Sequence, residues 1–385
     1  MVVVHNLSAG PGKLDEDAVR RAHESWFSYN NLGMAFMELS HRDEGGAVQS
    51  LMVDIQRKIR DQLQVPGNYH IVLMPGGGHA QFTAVALNLC VRSRKGKPTS
   101  PPQYVDTGFW SRRAAVAGEA YSRRFYPEWF QEQTGVEETS TGCFREDSAY
   151  VYLCLNDTIH GLEYLTEPDL AAINRANVPL VVDATSTLMS RPIDVSKYGV
   201  IFAASGKNLG PPGICVVIVR NDLLQEEKDL QEQTAFPTLD WRSYAYSSPI
   251  QNLYNTPPTL VLHLVHLCLE ALEEKGGVVA MEDKAKRLSA KSALLASSSS
   301  AFYQPLVTAE NGSSRSRMNV CFRIGGSAAQ IGPEKRAKNR ALESAVVQLS
   351  GHPLAGGLRV TCYNAIPDAS IDAVLKCLEA FRCQN

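Results

Sequence analysis

The sequence predicts an α/β fold, with a mostly parallel sheet in a large domain and a smaller α+β domain at the C-terminal end. Three observations carry that expectation. Up to about residue 253, short apolar runs bounded by Gly, Pro, Asn or Asp alternate with segments of helical period, which calls for a sheet covered by helices on both faces. After residue 253 the texture changes to long helices interrupted by single strand-like runs. The chain has 385 residues, 44% hydrophobic and 20% charged, which is ordinary globular usage with enough length for two domains.

The elements follow in order. Apolar residues at Val48, Leu51, Met52, Ile55, Ile59 and Leu63 recur at helical spacing and mark an amphipathic helix. Tyr69–Met74, Gln103–Asp106, Ala149–Leu155, Pro179–Asp183, Val200–Ala204 and Ile214–Arg220 read as strands, being rich in β-branched and aromatic residues. Thr166-Glu-Pro-Asp169 opens a further helix with a hydroxyl cap, an early Pro and an early acid. Lys95–Pro102 is a polar, Pro-rich surface loop by its chemistry. Beyond the change of texture, helices are expected at roughly 257–275 and 277–299. They are followed by a strand at Met318–Ile324, a helix near 334–349, a strand near 358–363 and a closing helix through Ile371, Val374, Leu378 and Phe381. The large domain is placed at 15–255 and the small one at 256–385.

Charge narrows the function classes. Lys and Arg number 38 and Asp and Glu 40, for a net charge of −2, so nothing in the balance suits nucleic acid or an anionic membrane. No apolar run approaches the ~20 residues of a membrane span, and the N-terminus lacks the pattern of a signal peptide. The nine cysteines include no CxxC pair, and several sit in apolar runs. The expectation is a soluble, cytoplasmic protein with reduced thiols. No metal-ligand spacing is present; His263 and His266 lie three apart on an apolar helix and read as buried or rim residues.

Three stretches carry candidate chemistry. Met74-Pro-Gly-Gly-Gly-His-Ala-Gln-Phe82 runs from a strand into a helix. Its glycines let backbone N–H groups at a helix start approach an anion such as phosphate, though by itself the stretch is equally a tight turn. Asp183 ends a central strand, where parallel sheets bind ligands; alone it reads as readily as a helix cap. Lys207 follows the strand Val200–Ala204 and precedes a Gly/Pro-rich turn. Desolvation at the edge of a core favours a nucleophilic amine there. An anion cup, then a carboxylate, then a lysine are what pyridoxal phosphate needs. Trp110 could stack on a pyridine ring or pack in the core, and Thr158 could bond a phenolic oxygen or close a turn.

At this point the chain resembles the phosphoserine aminotransferase family of fold type I, class V pyridoxal-phosphate enzymes, over nearly its whole length. The matching stretches are Leu7-Ser-Ala-Gly-Pro11, Leu39-Ser-His-Arg42, Gly76-Gly-Gly-His-Ala-Gln-Phe82, Thr107-Gly-Phe-Trp110, Asn156-Asp-Thr-Ile-His-Gly161 and Leu188-Met-Ser-Arg-Pro-Ile-Asp194. They continue with Lys207-Asn-Leu-Gly-Pro211, Asn255-Thr-Pro-Pro258, Arg317-Met-Asn-Val320, Gly356-Gly-Leu-Arg359 and Tyr363-Asn-Ala365. The resemblance implies a homodimer that transaminates 3-phosphohydroxypyruvate with glutamate, giving phosphoserine and 2-oxoglutarate in serine biosynthesis. It implies Lys207 as the Schiff-base lysine and proton shuttle, Asp183 on the pyridine nitrogen, Trp110 on the ring face and Thr158 on the phenolic oxygen. It also implies that Gly78 and His79 would take the cofactor phosphate with their backbone N–H groups, that Gly206 would lie beside it, and that Asn255 and Thr256 would reach it from the partner subunit. By the same resemblance Arg359 would clamp the substrate α-carboxylate, and His41, Arg42 and His352 would take the substrate phosphate or the glutamate side chain. The N-terminal segment 1–14 packs near the site.

Three positions depart from the family pattern. His79 stands where the family usually has Arg, Gly206 where it has Gln, and His352-Pro353 where it has His-Arg. Two of these changes remove fixed positive charge near the substrate phosphate, and the third removes a side-chain donor. The phosphate grip therefore falls to Arg42 with His41, His79 and His352, with a weaker and more pH-sensitive affinity expected.

Overall fold

The computed structural model describes residues 3–90, 101–126, 146–165, 174, 177–224, 236–248, 250–298, 302–307, 315–325 and 331–384. Thr166–Asp169 and most of Lys95–Pro102 lie outside the described residues.

The large sheet has six strands: β1 (Tyr69–Gly76), β2 (Gln103–Tyr104), β3 (Val151–Cys154), β4 (Leu180–Asp183), β5 (Val200–Ala204) and β6 (Gly213–Arg220). Their spatial order is β1-β6-β5-β4-β3-β2. β2 to β5 pair in parallel, and β6 runs antiparallel to both its neighbours. The reversal has a local cause. Parallel neighbours need a long crossover, whereas antiparallel ones can be joined by a short turn. The Gly/Pro-rich stretch after Ala204 is such a turn, and it carries Lys207. In register, Cys154 sits beside Asp183 and Asp183 beside Phe202, so these strands deliver their C-terminal ends to one level.

Both faces of the sheet are buried. Along β6, Val216 and Ile218 join a core with Ile55 and Ile59 of the helix Ala47–Leu63 and with Leu262 and Val265. The alternating Cys215, Val217 and Val219 join a second core with Phe82, Val85, Tyr152 and Trp241. This period of two across one strand is what a doubly covered sheet requires.

Beyond the large sheet, β7 (Tyr303–Pro305), β8 (Asn319–Ile324) and β9 (Leu358–Thr361) form an antiparallel sheet in that order. Its core holds Phe322, Leu358, Val360, Val374 and Phe381. The helix Thr259–Glu274 packs into the large-sheet core through Leu262, Val265 and Leu269. The next helix, Gly277–Ser298, starts in that core with Val278 and Met281 and passes to the small-sheet core with Ala285 and Leu288. The change of core therefore falls within this helix, beyond the expected domain boundary at residue 256.

One element differs from expectation. The helix near 334–349 ends at Glu343, and Val346–Val347 form a parallel pair with His5–Asn6. Ala345 adopts a left-handed backbone conformation (φ 57°), which breaks the helix. The β-branched pair then suits an extended segment, with Val346 packed against Leu7 and Leu349 in the small-sheet core. Among the described residues, no helix is long and apolar enough to cross a membrane.

Candidate active site

A cavity of about 290 Å³ opens at the C-terminal ends of β3 and β4. It is lined by Gly78, His79, Trp110, Thr158, Asp183, Lys207, His352 and Arg359 among the residues singled out from sequence. Ala9 and Gly10 also reach it from the N-terminal segment. That segment is tied down where Tyr363 donates its hydroxyl to the Ala9 carbonyl (2.8 Å) and Gly12 N–H donates to the Gly206 carbonyl (2.8 Å).

Each wall has a local origin. The helix Gly78–Leu89 starts after β1 with Gly77 at its N-cap and no side-chain cap; Gly78 and His79 line the cavity, and the Ala80 N–H donates to the Gly77 carbonyl at 3.0 Å. Asp183 is buried, with 5% of its surface exposed. It accepts the Thr185 N–H at 2.8 Å, and Tyr152 donates its hydroxyl at 3.4 Å. Burial pushes its carboxyl above the ordinary value, against the Thr185 bonds and the nearby Lys207 charge. Lys207 is half-buried, its ammonium 5.9 Å from the centre of the Trp110 ring.

On the far side, Trp110 donates its indole N–H to the Thr158 hydroxyl at 3.1 Å. The Thr158 oxygen thus accepts, and its own O–H remains to donate. Arg359, on β9 of the small sheet, donates from Nη1 to the Thr158 carbonyl at 2.7 Å. The His352 ring lies against Phe109, with centroids 5.8 Å apart. Burial, and then the Arg359 charge, hold the His352 imidazole below the ordinary histidine value.

Five singled-out residues do not line this chain's cavity. Arg42 is exposed, and His41 is half-buried with its pKa lowered by burial and then by Arg42. The Asn255 Oδ1 accepts the Tyr244 hydroxyl (3.0 Å), and Thr256 follows it. Gly206 gives its carbonyl to Gly12; a Cβ there would lie 3.1 Å from the Pro212 Cβ, so a larger residue would be crowded. Conversely, Cys154, Asn156, Thr185 and Ser186 line the cavity without having been singled out. Asn156 belongs to the same strand-end stretch as Thr158, and Thr185 and Ser186 follow Asp183 directly; proximity to those residues was the available signal.

Residues 4–333 match the class-V aminotransferase family model. Over full length the chain is 36% identical to the phosphoserine aminotransferase of Drosophila melanogaster (389 residues, 100% of both chains). It is 34% identical to that of Paraburkholderia phymatum, covering 98% of each. The chain belongs to the phosphoserine aminotransferase family. Its fold superposes on the pyridoxal-phosphate-bound phosphoserine aminotransferase of Trichomonas vaginalis with a TM-score of 0.83 and 29% identity, covering 98% of this chain and 100% of that one. Against a phosphoserine aminotransferase studied for radiation damage of its Schiff base, the TM-score is 0.85 at 29% identity, with both chains fully covered.

The residues present fit the family's cofactor. A buried carboxylate hydrogen-bonded to neutral groups, the Thr185 N–H and the Tyr152 hydroxyl, suits a protonated ring nitrogen. An uncapped helix start suits a phosphate. The buried Asn156 Oδ1 has no hydrogen-bond partner within the described residues and awaits a donor. Asp54, His266 and Glu270 have ligand atoms within reach of one another, but Arg57, Lys58 and Arg21 already pair with these carboxylates. His263 is buried against Phe36, its pKa lowered to about 4 by burial.

Proposed function

We propose that this phosphoserine aminotransferase transfers the amino group of glutamate to 3-phosphohydroxypyruvate, using pyridoxal phosphate held in the cavity around Lys207. The carrying observation is that Gly78, Trp110, Thr158, Asp183, Lys207 and Arg359 line one cavity in a chain related to the family over its full length. When bound, the cofactor supplies a carbonyl carbon for the amino group and a ring that accepts electrons from the substrate Cα. The chain does the rest. Gly78 and His79 N–H groups hold the phosphate, and Asp183 keeps the ring nitrogen protonated. Trp110 walls one ring face and Thr158 donates to the phenolic oxygen. Lys207 Nζ takes the proton from the substrate Cα and returns it across the same face.

Arg359 holds the substrate α-carboxylate through a planar, bidentate fork. The expected result for Arg359→Ala is a fall in kcat/KM of about 10²- to 10³-fold for both glutamate and phosphoserine, since both carry that carboxylate. The visible absorbance of the bound cofactor stays. Steady-state kinetics with each amino donor checks this, and a loss confined to phosphoserine would count against the assignment.

The site is completed by a second copy of the chain in the cytoplasm. His41, Arg42, Asn255 and Thr256 lie off this chain's cavity, and Trp26, Phe27, Leu32, Met34 and Met37 form an exposed apolar stretch just before His41. Apolar exposure on this scale supports a self-association face that carries these residues into the partner's cavity. The eight described cysteines are free, and six of them are buried, which supports a reducing compartment.

The phosphate grip is pH-dependent. His41 and His352 are held below the ordinary histidine value, so both rings are neutral at neutral pH and gain charge only as pH falls below that range. Serine O-sulfate keeps a constant side-chain charge over that span. Its KM should fall between pH 8 and pH 5.5 by about two- to fivefold per ring. A flat profile would exclude the histidine grip. Serine or alanine turning over as well as phosphoserine would point instead to an unphosphorylated substrate.

A further inference from the structure

We infer that Asp157 is a positioning residue for the transamination, fixing Trp110 and Thr158 relative to each other; the inference rests on the cofactor reading above. Trp110 and Thr158 come from separate segments, the start of the helix Phe109–Phe125 and the turn after β3. Their direct link is the single indole-to-hydroxyl bond. Asp157 links the same two segments more firmly. Its Oδ2 accepts the Phe109 N–H at 2.5 Å, and its Oδ1 accepts the Ile159 and His160 N–H groups at 2.7 and 3.2 Å.

Three backbone donors thus converge on one carboxylate that is only 1% exposed. Bonds of this charge-assisted kind are about twice as strong as neutral ones. The helix has no cap from its own chain neighbour, Gly108, and Asp157 supplies the missing acceptor from across the site. Gly108 makes the approach possible. A Cβ there would lie 1.8 Å from the Asp157 Oδ2, and its φ of +129° suits glycine. The same turn carries the substrate clamp, because Arg359 donates to the Thr158 carbonyl. One side chain therefore sets the ring wall, the hydroxyl and the carbonyl on which the clamping arginine rests.

Asp106 provides the contrast. It accepts the Gly108 N–H at 3.1 Å and pairs with Arg112 on the exposed side of the same helix start, but it makes no bond to the Thr158 turn. The test uses the holoenzymes of Asp157→Asn, Asp157→Ser and Asp106→Asn beside the wild type. Both Asp157 variants should lose about 10²-fold in kcat, the effect of a misplaced reacting group, and should change the visible circular dichroism of the bound cofactor. Asp106→Asn should lower Tm and leave both readings in place. Serine keeps one small acceptor without the amide N–H groups that would face the backbone donors, and so serves as a second, independent variant. In cofactor-free protein, amide hydrogen exchange should quicken at both 109–112 and 158–161 in the Asp157 variants, and at 109–112 alone in Asp106→Asn. The inference is overturned if both Asp157 variants stay within about threefold of wild-type kcat with unchanged dichroism, or if exchange quickens at the helix start alone. A wild type without transaminase activity would instead sink the cofactor reading, and the exchange pattern would still decide the role of Asp157.

Discussion

Lys207→Ala should abolish transamination, with kcat falling by at least about 10⁴-fold, and the purified protein should lose its lysine-dependent visible absorbance. The argument is one of inventory. Among the described residues lining the cavity, Lys207 carries the sole amine. Arg359 is a guanidinium and His79 and His352 are imidazoles, and none of them bonds the cofactor carbon as a primary amine does. The lysine is also held in place. Its N–H donates to the Ser205 carbonyl at 2.7 Å, and the turn behind it is pinned where Ser205 donates its hydroxyl to the Pro211 carbonyl. Removing the side chain therefore leaves the turn standing and empties one position. Added methylamine should restore part of the rate by occupying that space. Retention of more than about 1% of wild-type kcat without added amine would refute the assignment.

Asp183→Asn is expected to act with opposite signs on catalysis and on stability. On the proposed reading, the carboxylate would hold a proton on the ring nitrogen of the bound cofactor; an amide of the same shape cannot, and kcat should fall by about 10²- to 10³-fold. In the cofactor-free chain the same carboxylate is a burden. Burial raises its pKa in the folded state above the ordinary 3.8. Between that value and the raised one, the folded chain keeps a proton that the unfolded chain has lost, so stability falls as pH rises through this window. Asparagine does not ionise and avoids that loss, while its side-chain oxygen still accepts the Thr185 N–H. Cofactor-free Asp183→Asn should therefore melt about 2 °C or more above wild type at neutral pH, and the difference should shrink as pH falls through the window. With cofactor bound the order should reverse. Calorimetry of both forms checks this; a cofactor-free variant less stable than wild type at neutral pH would show that Asp183 is already satisfied without the ring.

The substitutions the family pattern highlights have unequal structural weight. His79 faces the cavity beside Trp110, with ring centroids 5.6 Å apart, so it stands where it can meet a ligand. Gly206 does not; its carbonyl anchors the N-terminal segment through Gly12, and the crowding at Pro212 explains why a larger side chain would need the turn to shift. At His352 the turn preceding β9 is closed by Leu354 N–H donating to Nδ1 (3.2 Å), which leaves Nε2 as the nitrogen free of that bond.

Local sequence determined the strands, most of the helices and the identity of the residues at strand ends. A period of two or of 3.6 states which side of an element meets the core, and Gly, Pro and short polar caps state where it stops. That is why β5 (Val200–Ala204) and the helix through Val48 and Leu63 are legible from composition and spacing alone. It also explains the miss at Val346–Val347, where pairing with His5–Asn6 overrides the continuation of a helix. What periodicity does not encode is which strand ends stand side by side. The order β1-β6-β5-β4-β3-β2 places Cys154 next to Asp183, and the small sheet swings Arg359 onto the Thr158 carbonyl. The same three-dimensional arrangement leaves His41, Arg42, Asn255 and Thr256 off this chain's cavity. These are long-range outcomes of burying two faces of one sheet at once, and only the tertiary structure decides them.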